Sequence, residues 1–524
     1  MRHDNATVSP AERRWLLLVS SFVVALTLLP FVVCALAAWQ SGAVFAGFLL
    51  NPVDGFTYLA KMRMGWQGHW LYQSPFTLER GPGGLLFTLY FALGHLARLL
   101  DLPLLLTFHI ARVVCNFMLL WVVYGFIARA TDAISVRKLM WWLVALSSGL
   151  GWIVQKYGLG YPYYEQQAIL HMNTFYDMFI APHLSLAAAL MLLMFTRVLD
   201  AARPSPRAFA ESGLLSLLLA LVFPFLLVVV YLTLGATLGA IWWRDRSFPR
   251  VQLACVFLAG LITLPVLVYM QIGIQADPNL VAYSTQNQTL TPSPLGILLA
   301  FGLLIPLLFP GIQSALRRRS DWDIVLVAWI ALVAVLMYVP YRFQWRFTTG
   351  LHVPIAIVAA LGLSQAIAAK WPRRLMIAAL VMTPCHLLLT QITGKASIAT
   401  AAAHYPLTYI SKSEAAALNW LQMNVPVRAA VLASHEMGLF IPAFAGQRVV
   451  FGHVSETIDP QTKSRMLNDF FSGKADRAEM LRDLGIDYVL IGPRERARGT
   501  VDPASLPLRL VFSSGDVGVY KVAS

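Results

Sequence analysis

Charged side chains are scarce in this sequence. Asp, Glu, Lys and Arg make up 13% of its 524 residues, whereas a soluble protein carries roughly 25%. The hydrophobic share is 58%, which is more apolar surface than a soluble core could cover. These proportions exclude a cytoplasmic enzyme, a disordered chain and a disulfide-rich secreted domain, and they indicate a polytopic membrane protein.

Cysteine is also rare. Cys34, Cys115, Cys255 and Cys385 lie in separate apolar stretches, so the pattern predicts neither a disulfide framework nor a metal cluster. Lys and Arg number 40 against 26 Asp and Glu, which gives a net charge of +14. In a membrane protein such an excess is typical of anchoring loops, and we expect no nucleic-acid partner.

Long apolar stretches predict eleven transmembrane helices, because about 20 apolar residues span the hydrocarbon layer. The predicted spans are 14–38, 104–128, 139–155, 183–198, 208–223, 225–243, 251–273, 295–316, 323–341, 350–369 and 373–393. Pro224 divides 208–243 into two short helices. The stretch 84–100 is short and carries His95 and Arg98, so we expect a helix at the membrane interface there and not a span.

Basic residues alternate between the loops and predict the orientation. They cluster near the N-terminus and in every second loop, and the intervening loops hold fewer. The N-terminus is therefore predicted to be cytoplasmic, and the first external loop 39–103, the loop 156–182 and the chain after 393 face the other side. The 14–38 stretch is long for a signal peptide and lacks a convincing small-residue cleavage site, so we expect a retained first helix.

The sequence changes character from Ser411 onward. Short apolar stretches at 429–433, 448–452 and 487–492 alternate with helical patterns, and a final hairpin turns at Gly515. This alternation predicts a small extracytoplasmic α/β domain. The predicted domains are a transmembrane domain at 1–393, a linker at 394–410 and the α/β domain at 411–524.

The first external loop holds the main candidate for catalysis. Helical spacing places Asp54, Tyr58 and Lys61 on one face. A carboxylate there could act as a general base toward a sugar hydroxyl or hold a metal. The alternative is that Asp54 only complements the positive end of a helix. His69, next to Trp70, is a candidate for substrate contact or part of an interfacial aromatic belt.

Further candidates lie in the second span and the 156–182 loop. Arg112 falls inside the apolar span 104–128, where a guanidinium is paired, lines a cavity or extends to the interface. The loop combines tyrosines with Glu165 and His171, and His183 opens the next helix. Aromatic rings beside carboxylates are typical of sugar sites. The histidines lack zinc-ligand spacing such as HExxH.

Two arginines stand at the outer end of the ninth predicted span. Arg342 and Arg346 are four residues apart and share a face if the helix continues. The positive-inside rule disfavours arginine on this side, so the pair indicates an anion, either a lipid headgroup or a phosphate in a specific site. The planar guanidinium suits phosphate because it donates two parallel hydrogen bonds.

Together these features resemble the GT-C superfamily of polyprenyl-phosphate-dependent glycosyltransferases, which includes protein mannosyltransferases and lipid A aminoarabinose transferases. In sequence the resemblance is concentrated at NPVDGFTYLAKMRMGWQGHW, at the GPGGLLFTLYFALGHLARLL and HIARVV stretches, and at NTFYDMFIAPHLSLAAAL. The tail segments WLQMNVP, GHVSET, FFSG and DYVLIGPRE look similar to those of uncharacterised bacterial membrane proteins of this type.

The resemblance implies a GT-C-like fold and a bacterial inner-membrane enzyme. Its substrate would be a polyprenyl-phosphate sugar donor, and the acceptor would be a glycan, lipid or protein. Asp54 matches the first-loop carboxylate that acts as base or positions the acceptor, and Arg80 lies near a basic residue that contacts the lipid phosphate. Gly55 follows Asp54, so a DxD or DE pair is missing and a divalent metal is not chemically required.

Two other classes of function stay open. One is a transporter or flippase for a lipid-linked or polar substrate, and the other is a non-catalytic membrane scaffold. Transporters place charges near the membrane midplane and often show repeated halves. In this sequence the unusual charges fall at the external ends of spans and no repeat is visible, which favours the enzyme.

Overall fold

The computed structural model describes residues 8–366, 370–396 and 407–523. Arg2, the last residues of the predicted span 350–369 and residues 397–406 of the predicted linker lie outside this range. The described chain is mostly helical, with a small mixed sheet toward the C-terminus. This confirms the prediction of a helical membrane protein that carries a C-terminal α/β region.

Five helices of the described chain are long and apolar enough to cross a membrane. They are Pro10–Ser41, Leu104–Ala130, Pro182–Asp200, Phe225–Asp245 and Arg250–Ala276. The pair Pro294–Phe301 and Leu304–Arg318, bent by 82° at its break, makes a sixth if it is one span. The protein is therefore a multi-pass membrane protein.

The other predicted spans form shorter helices. These are Ile134–Leu146, Gly151–Tyr157, Pro206–Val222, Asp321–Leu336, His352–Ala366, Lys370–Leu380 and Met382–Ala396. Helix Pro206–Val222 ends just before Pro224 and helix Phe225–Asp245 begins just after it. The predicted division of 208–243 is thus confirmed.

The prediction of unbroken spans at 139–155, 295–316 and 373–393 is wrong, because each is interrupted. The interruptions supply one another with hydrogen-bond partners. The N–H of Ser148 donates to the Leu380 carbonyl at 3.0 Å, and the N–H of Gly149 donates to the Ala300 carbonyl at 3.1 Å. In hydrocarbon each unbonded main-chain group is costly, so interruptions are tolerated where they bond to one another.

Shorter helices connect these segments. They are Pro52–Trp66, Thr88–Leu99, Tyr163–His171, Thr174–Ile180 and Pro278–Gln286, with a 3-10 turn at Gln344–Thr348. The Thr88–Leu99 helix is about 18 Å long at 1.5 Å per residue, which is too short to cross a bilayer. This confirms that 84–100 does not form a span.

The C-terminal region contains most of the strands. A first short pair joins β1 (Val44–Phe45) to β2 (Tyr409–Ile410). The larger sheet has the order β4-β3-β5-β7-β6 and consists of β3 (Ala430–Leu432), β4 (Arg448–Val449), β5 (Tyr488–Ile491), β6 (Leu508–Ser514) and β7 (Val517–Val522). Strand β3 runs parallel to β4 and β5, and β7 is antiparallel to β5 and β6. The predicted strands and the hairpin turn at Gly515 are confirmed.

The strands of this sheet are packed between helices. Helices Pro460–Ser472 and Arg477–Asp483 supply Leu467, Phe470 and Leu481 to a core that includes strand residues of the sheet. Helix Lys412–Asn424 contacts β6 and β7. Its capping box is formed by Ser411 and Glu414, and four shorter helical segments complete the region: His435–Phe440, Ile441–Ala445, Pro493–Arg496 and Pro503–Ser505.

The chain forms two compact units. Unit 1 contains Met1–Leu29, His109–Val268 and Thr289–Thr390. Unit 2 contains Pro30–Phe108, Tyr269–Gln288 and Gln391–Ser524. Unit 2 thus brings the first predicted external loop and the C-terminal sheet into one body.

Within unit 2, two glycines let a pair of helices approach closely. A Cβ atom at Gly65 would lie 2.3 Å from the Phe91 carbonyl oxygen, and one at Gly94 would lie 2.0 Å from the Met62 carbonyl oxygen. These neighbours are main-chain atoms, which cannot turn aside as a side chain can. The two glycines therefore set the distance between Pro52–Trp66 and Thr88–Leu99.

We predict that Gly94→Ala destabilises the protein by about 1–3 kcal/mol, the usual cost of overpacking a close contact. The midpoint of thermal unfolding of the detergent-solubilised protein measures this effect. Gly125→Ala is the matched control, because a Cβ at this helical glycine meets nothing within 4 Å. An unchanged midpoint in Gly94→Ala would contradict the packing described here.

Candidate functional site

Asp54 lies in the first turn of the Pro52–Trp66 helix. Asn51 precedes the helix with a left-handed backbone, at φ 46°, and Pro52 occupies the first helical position. Proline suits that position because its φ is already helical and no N–H is needed there. The positive end of the helix favours a carboxylate in the first turn. The NPVDG sequence therefore places Asp54 at a helix start by local rules alone.

Two side chains hold the Asp54 carboxylate. The Asn51 amide donates to Oδ2 at 2.5 Å, and Nε2 of His453 lies 3.1 Å from Oδ1. The Asp54 side chain is 38% exposed. Its oxygens therefore keep accessible lone pairs while their direction is fixed.

The surroundings of His453 determine which ring nitrogen carries the proton. The backbone N–H of Ser455 donates to Nδ1 at 3.2 Å, so Nδ1 is an acceptor. In a neutral imidazole the proton then resides on Nε2. His453 is therefore a hydrogen-bond donor to Asp54.

These contacts decide the charge of Asp54. Burial would raise the pKa of the carboxyl, but the hydrogen bond from His453 and the positive charge that this ring carries when protonated, with smaller contributions from Asn51 and Lys61, lower the pKa to about 2. Asp54 is consequently an anion at neutral pH. It is a strong hydrogen-bond acceptor for a hydroxyl or a positively charged group.

Lys61, a predicted substrate contact, forms a buried ion pair. Its Nζ lies 2.7 Å from Oε1 of Glu456, and the two side chains are 1% and 4% exposed. The Tyr72 hydroxyl donates to the other oxygen of Glu456. The Phe87 ring centroid lies 4.1 Å from Nζ, a favourable cation–π distance. Lys61 thus serves as the counter-ion of a buried carboxylate.

Tyr58 stacks face to face with Tyr90 at a centroid distance of 4.5 Å. The Tyr58 centroid is also 5.8 Å from Nζ of Lys61. The structure therefore brings together Tyr58 and Lys61, and Lys61 contributes to the electrostatics of Asp54. Lys61 therefore interacts with both of the other residues on the predicted helix face, Tyr58 and Asp54.

His453 and Glu456 are site residues that the sequence did not predict. Both belong to the GHVSET segment, 452–457, which follows β4. Loops at the carboxyl ends of parallel strands frequently carry functional groups. A histidine and a glutamate three residues apart after an apolar strand were the available signal, but the sequence does not identify their partners in the first loop.

The lack of a second carboxylate after Asp54 has a packing cause. A Cβ atom at Gly55 would lie 2.4 Å from the ring of Phe48. A glutamate directly after Asp54, as in a DE pair, would therefore require the Phe48 ring to move. Within the described ranges, no group of three or more His, Cys, Asp and Glu side chains could hold a metal ion.

His69 and Arg80, the other candidates in unit 2, lie on the surface. The His69 carbonyl contacts Nε2 of His95 at 3.0 Å, and the His69 side chain is exposed. Arg80 is exposed and follows Glu79, whose carboxylate pairs with Lys463. The contacts described here do not indicate a function for the His69 or the Arg80 side chain.

Unit 1 contains the remaining candidates. Arg112 is fully buried, and its Nη1 donates to the Phe179 carbonyl at 2.8 Å, near the end of the Thr174–Ile180 helix. Glu165 accepts a hydrogen bond from the Ser293 N–H at 2.8 Å. These two residues connect segments that are distant in sequence.

The histidines of unit 1 lie among aromatic rings. The His171 centroid is 3.9 Å from that of Tyr176 and 5.5 Å from that of Trp345. The His183 centroid is 5.6 Å from that of Phe223.

Arg342 and Arg346 do not share one α-helix face, because the expected continuation of the helix is wrong. Helix Asp321–Leu336 ends before Pro340, and Gln344–Thr348 is a 3-10 turn. The Arg346 guanidinium carbon lies 4.7 Å from the ring centroids of both Phe225 and Phe343. Cation–π contacts use the ring faces and do not occupy the N–H donors.

We predict that Lys61→Met destabilises the protein by about 3–5 kcal/mol, because it leaves the Glu456 carboxylate buried without its counter-ion. Thermal unfolding of the purified protein measures the effect. The double variant Lys61→Met/Glu456→Gln removes the stranded charge and is expected to recover part of the loss. Wild-type stability in Lys61→Met, with weakened substrate binding, would instead favour the predicted substrate contact.

The sequence matches no protein-family model and no curated protein. Solved structures do match. ArnT from Cupriavidus metallidurans, bound to undecaprenyl phosphate, has a TM-score of 0.53 at 10% identity, over 96% of this chain and 98% of that chain. Its apo state has a TM-score of 0.51 at 11% identity, over 97% and 99%.

The arabinofuranosyltransferase AftD from Mycobacteria also has a TM-score of 0.53, at 15% identity. The match covers 100% of this chain and 41% of AftD, so the chain spans less than half of that protein. Identities this low establish the fold alone. The chain has the GT-C-like fold of these structures, one of which is bound to undecaprenyl phosphate.

Proposed function

We propose that the protein is a membrane glycosyltransferase that moves a sugar from a polyprenyl-phosphate donor to an acceptor at the extracytoplasmic face. The observation that carries this proposal is the Asp54 carboxylate. It is ionised, partly exposed and held by two donors at the start of a helix, in a chain with the GT-C fold. A multi-pass topology with a cytoplasmic N-terminus and an extracytoplasmic C-terminal region belongs to the same proposal.

In the proposed reaction an acceptor hydroxyl attacks the anomeric carbon of the donor sugar. The new bond joins the acceptor oxygen to that carbon, and the bond from carbon to phosphate oxygen breaks. Asp54 first accepts the hydrogen bond of the hydroxyl and orients its lone pair. The hydroxyl becomes strongly acidic as the bond forms, so a carboxylate of low pKa can take its proton late in the step.

The leaving polyprenyl phosphate gathers negative charge, which positioned cations stabilise. Arg346 is the strongest candidate, because Phe225 and Phe343 hold its guanidinium while in-plane N–H groups suit phosphate. Arg342 and Arg80 are further candidates. Phosphate is a good leaving group, so a metal is not chemically obligatory.

The aromatic surroundings of His171 and His183 support a role for unit 1 in sugar binding. Glu165 and Arg112 would act by holding the loop 156–182 in place, since both bond to main-chain groups. In the proposal the C-terminal sheet region contributes to acceptor selection.

A transporter is the second candidate, because interrupted helices often line transport sites. In this protein, however, Ser148 and Gly149 at one interruption bond to carbonyls at the other two. The hydrogen bonds that join the interruptions to one another indicate a structural role, which favours the enzyme over a transporter.

We predict that Asp54→Asn lowers sugar transfer by about 10²–10⁴-fold, the usual range for loss of an acid–base group. The purified full-length protein in nanodiscs is incubated with a panel of polyprenyl-phosphate sugars and a cell-envelope acceptor extract. Release of polyprenyl phosphate is then measured.

Asp54→Asn keeps the shape of the side chain, so its thermal unfolding and its binding of undecaprenyl phosphate are expected to match the wild type. Val454→Ala, a change at an exposed residue beside His453, controls for disturbance near the site. Wild-type transfer by Asp54→Asn would contradict the proposal, and so would release of no polyprenyl phosphate from any donor by the wild type.

We predict that Arg346→Gln weakens binding of undecaprenyl phosphate by about 10–100-fold, because a charge-assisted hydrogen bond contributes roughly 1.5–3 kcal/mol. Binding is measured by native mass spectrometry in detergent micelles. Arg203→Gln, at an exposed arginine, is the control and is expected to bind as the wild type does. Equal binding by all three proteins would remove Arg346 from the phosphate site.

A further inference from the structure

We propose that His453 is a positioning residue that fixes the direction of the Asp54 carboxylate and stabilises its ionised form, so that the C-terminal region completes the catalytic group of the first loop. The catalytic meaning of this inference rests on the proposed function. The charge state of Asp54 can be measured without a substrate.

Each oxygen of the Asp54 carboxylate accepts a hydrogen bond from a different side chain. Asn51 occupies Oδ2 and His453 occupies Oδ1. Asn51 is three residues away in the same helix start, whereas His453 is 399 positions away. Local sequence therefore supplies one donor, and the fold of unit 2 supplies the other.

The 452–457 segment, which bears His453, is bonded to neighbouring parts of unit 2 at several points. Glu456 pairs with Lys61 in the buried ion pair. The Thr457 hydroxyl donates to the Phe76 carbonyl at 2.8 Å, and the Gln286 amide donates to the Thr457 carbonyl at 2.9 Å. These contacts do not involve Asp54, so the position of His453 is set independently of it. A site built in this way is preorganised.

The other charged groups near Asp54 have partners of their own or lie farther from it. Lys61 acts on Asp54 from the same helix, but Glu456 pairs with it at 2.7 Å. His453 acts electrostatically on His435, which stacks on Phe451 at a centroid distance of 4.6 Å. The donor in direct contact, His453, therefore has the larger effect on the ionisation of Asp54.

The sign of the expected change follows from these contributions. Burial raises the pKa of Asp54, and the contacts of His453 are the first to oppose it. When His453 is lost, burial remains and a major opposing contribution disappears, so the pKa rises. Protonated Asp54 would donate a hydrogen bond from one oxygen and could no longer accept a proton from the hydroxyl.

The test is a pH titration of the full-length protein in liposomes by infrared spectroscopy. The C=O band of protonated Asp54 is isolated by subtracting the spectrum of Asp54→Asn. In the wild type this band is expected to be absent until close to pH 2. In His453→Ala its midpoint is expected at least one pH unit higher.

Two further variants separate loss of the His453 hydrogen bond from a general disturbance of the fold. His453→Gln retains an N–H donor, so we expect its midpoint to lie between those of the wild type and His453→Ala. Val454→Ala changes the neighbouring exposed residue and is expected to titrate as the wild type does. A midpoint in His453→Ala equal to that of the wild type would overturn the inference.

Sugar transfer distinguishes failure of the inference from failure of the proposed function. Loss of transfer in Asp54→Asn together with unchanged titration and unchanged transfer in His453→Ala would reject His453 alone. A shifted titration in His453→Ala, together with full transfer by Asp54→Asn, would reject the proposed reaction and leave the positioning contact intact. If both hold, the acid limb of the transfer rate moves to higher pH in His453→Ala, and His453→Gln reverses part of the shift.

Discussion

A carboxylate near a hydrocarbon layer stays ionised when hydrogen-bond donors are directed at it, and this constraint governs unit 2. Burial alone would raise the pKa of Asp54, yet the donors His453 and Asn51 lower it to about 2. The charge is useful because the side chain is also partly exposed. The packing around the Pro52–Trp66 helix holds these two donors, His453 and Asn51, in position.

The C-terminal region is part of that support. Its 452–457 segment supplies His453 to Asp54 and Glu456 to Lys61, so both charged residues on one side of the first-loop helix have partners from the tail. The two contacts differ in kind. The Lys61 pair is buried and stabilises the segment, whereas the Asp54 pair is partly exposed. The first-loop helix and the small α/β region therefore belong to one compact unit.

Local rules predicted much of the fold. The strands, the final hairpin, the helix division at Pro224 and the start of the helix at Asp54 follow from patterns within about ten residues. The helix interruptions were not predictable, because apolar composition continues through them and their hydrogen bonds come from distant segments. Asp54 stood out in the sequence, but its partner His453 is 399 positions away, and Glu456 is 395 positions from Lys61. Such pairs form only in the folded protein, and no local pattern in a single sequence identifies them.

The central claim is that Asp54 contacts the reacting groups of a sugar transfer. A structure of the full-length protein with a non-hydrolysable polyprenyl-phosphate sugar analogue bound would test it most directly. Our account predicts that the anomeric carbon lies near the Asp54 carboxylate, with room for an acceptor hydroxyl about 3–3.5 Å from that carbon. A sugar bound elsewhere, with packed protein between it and Asp54, would contradict the account.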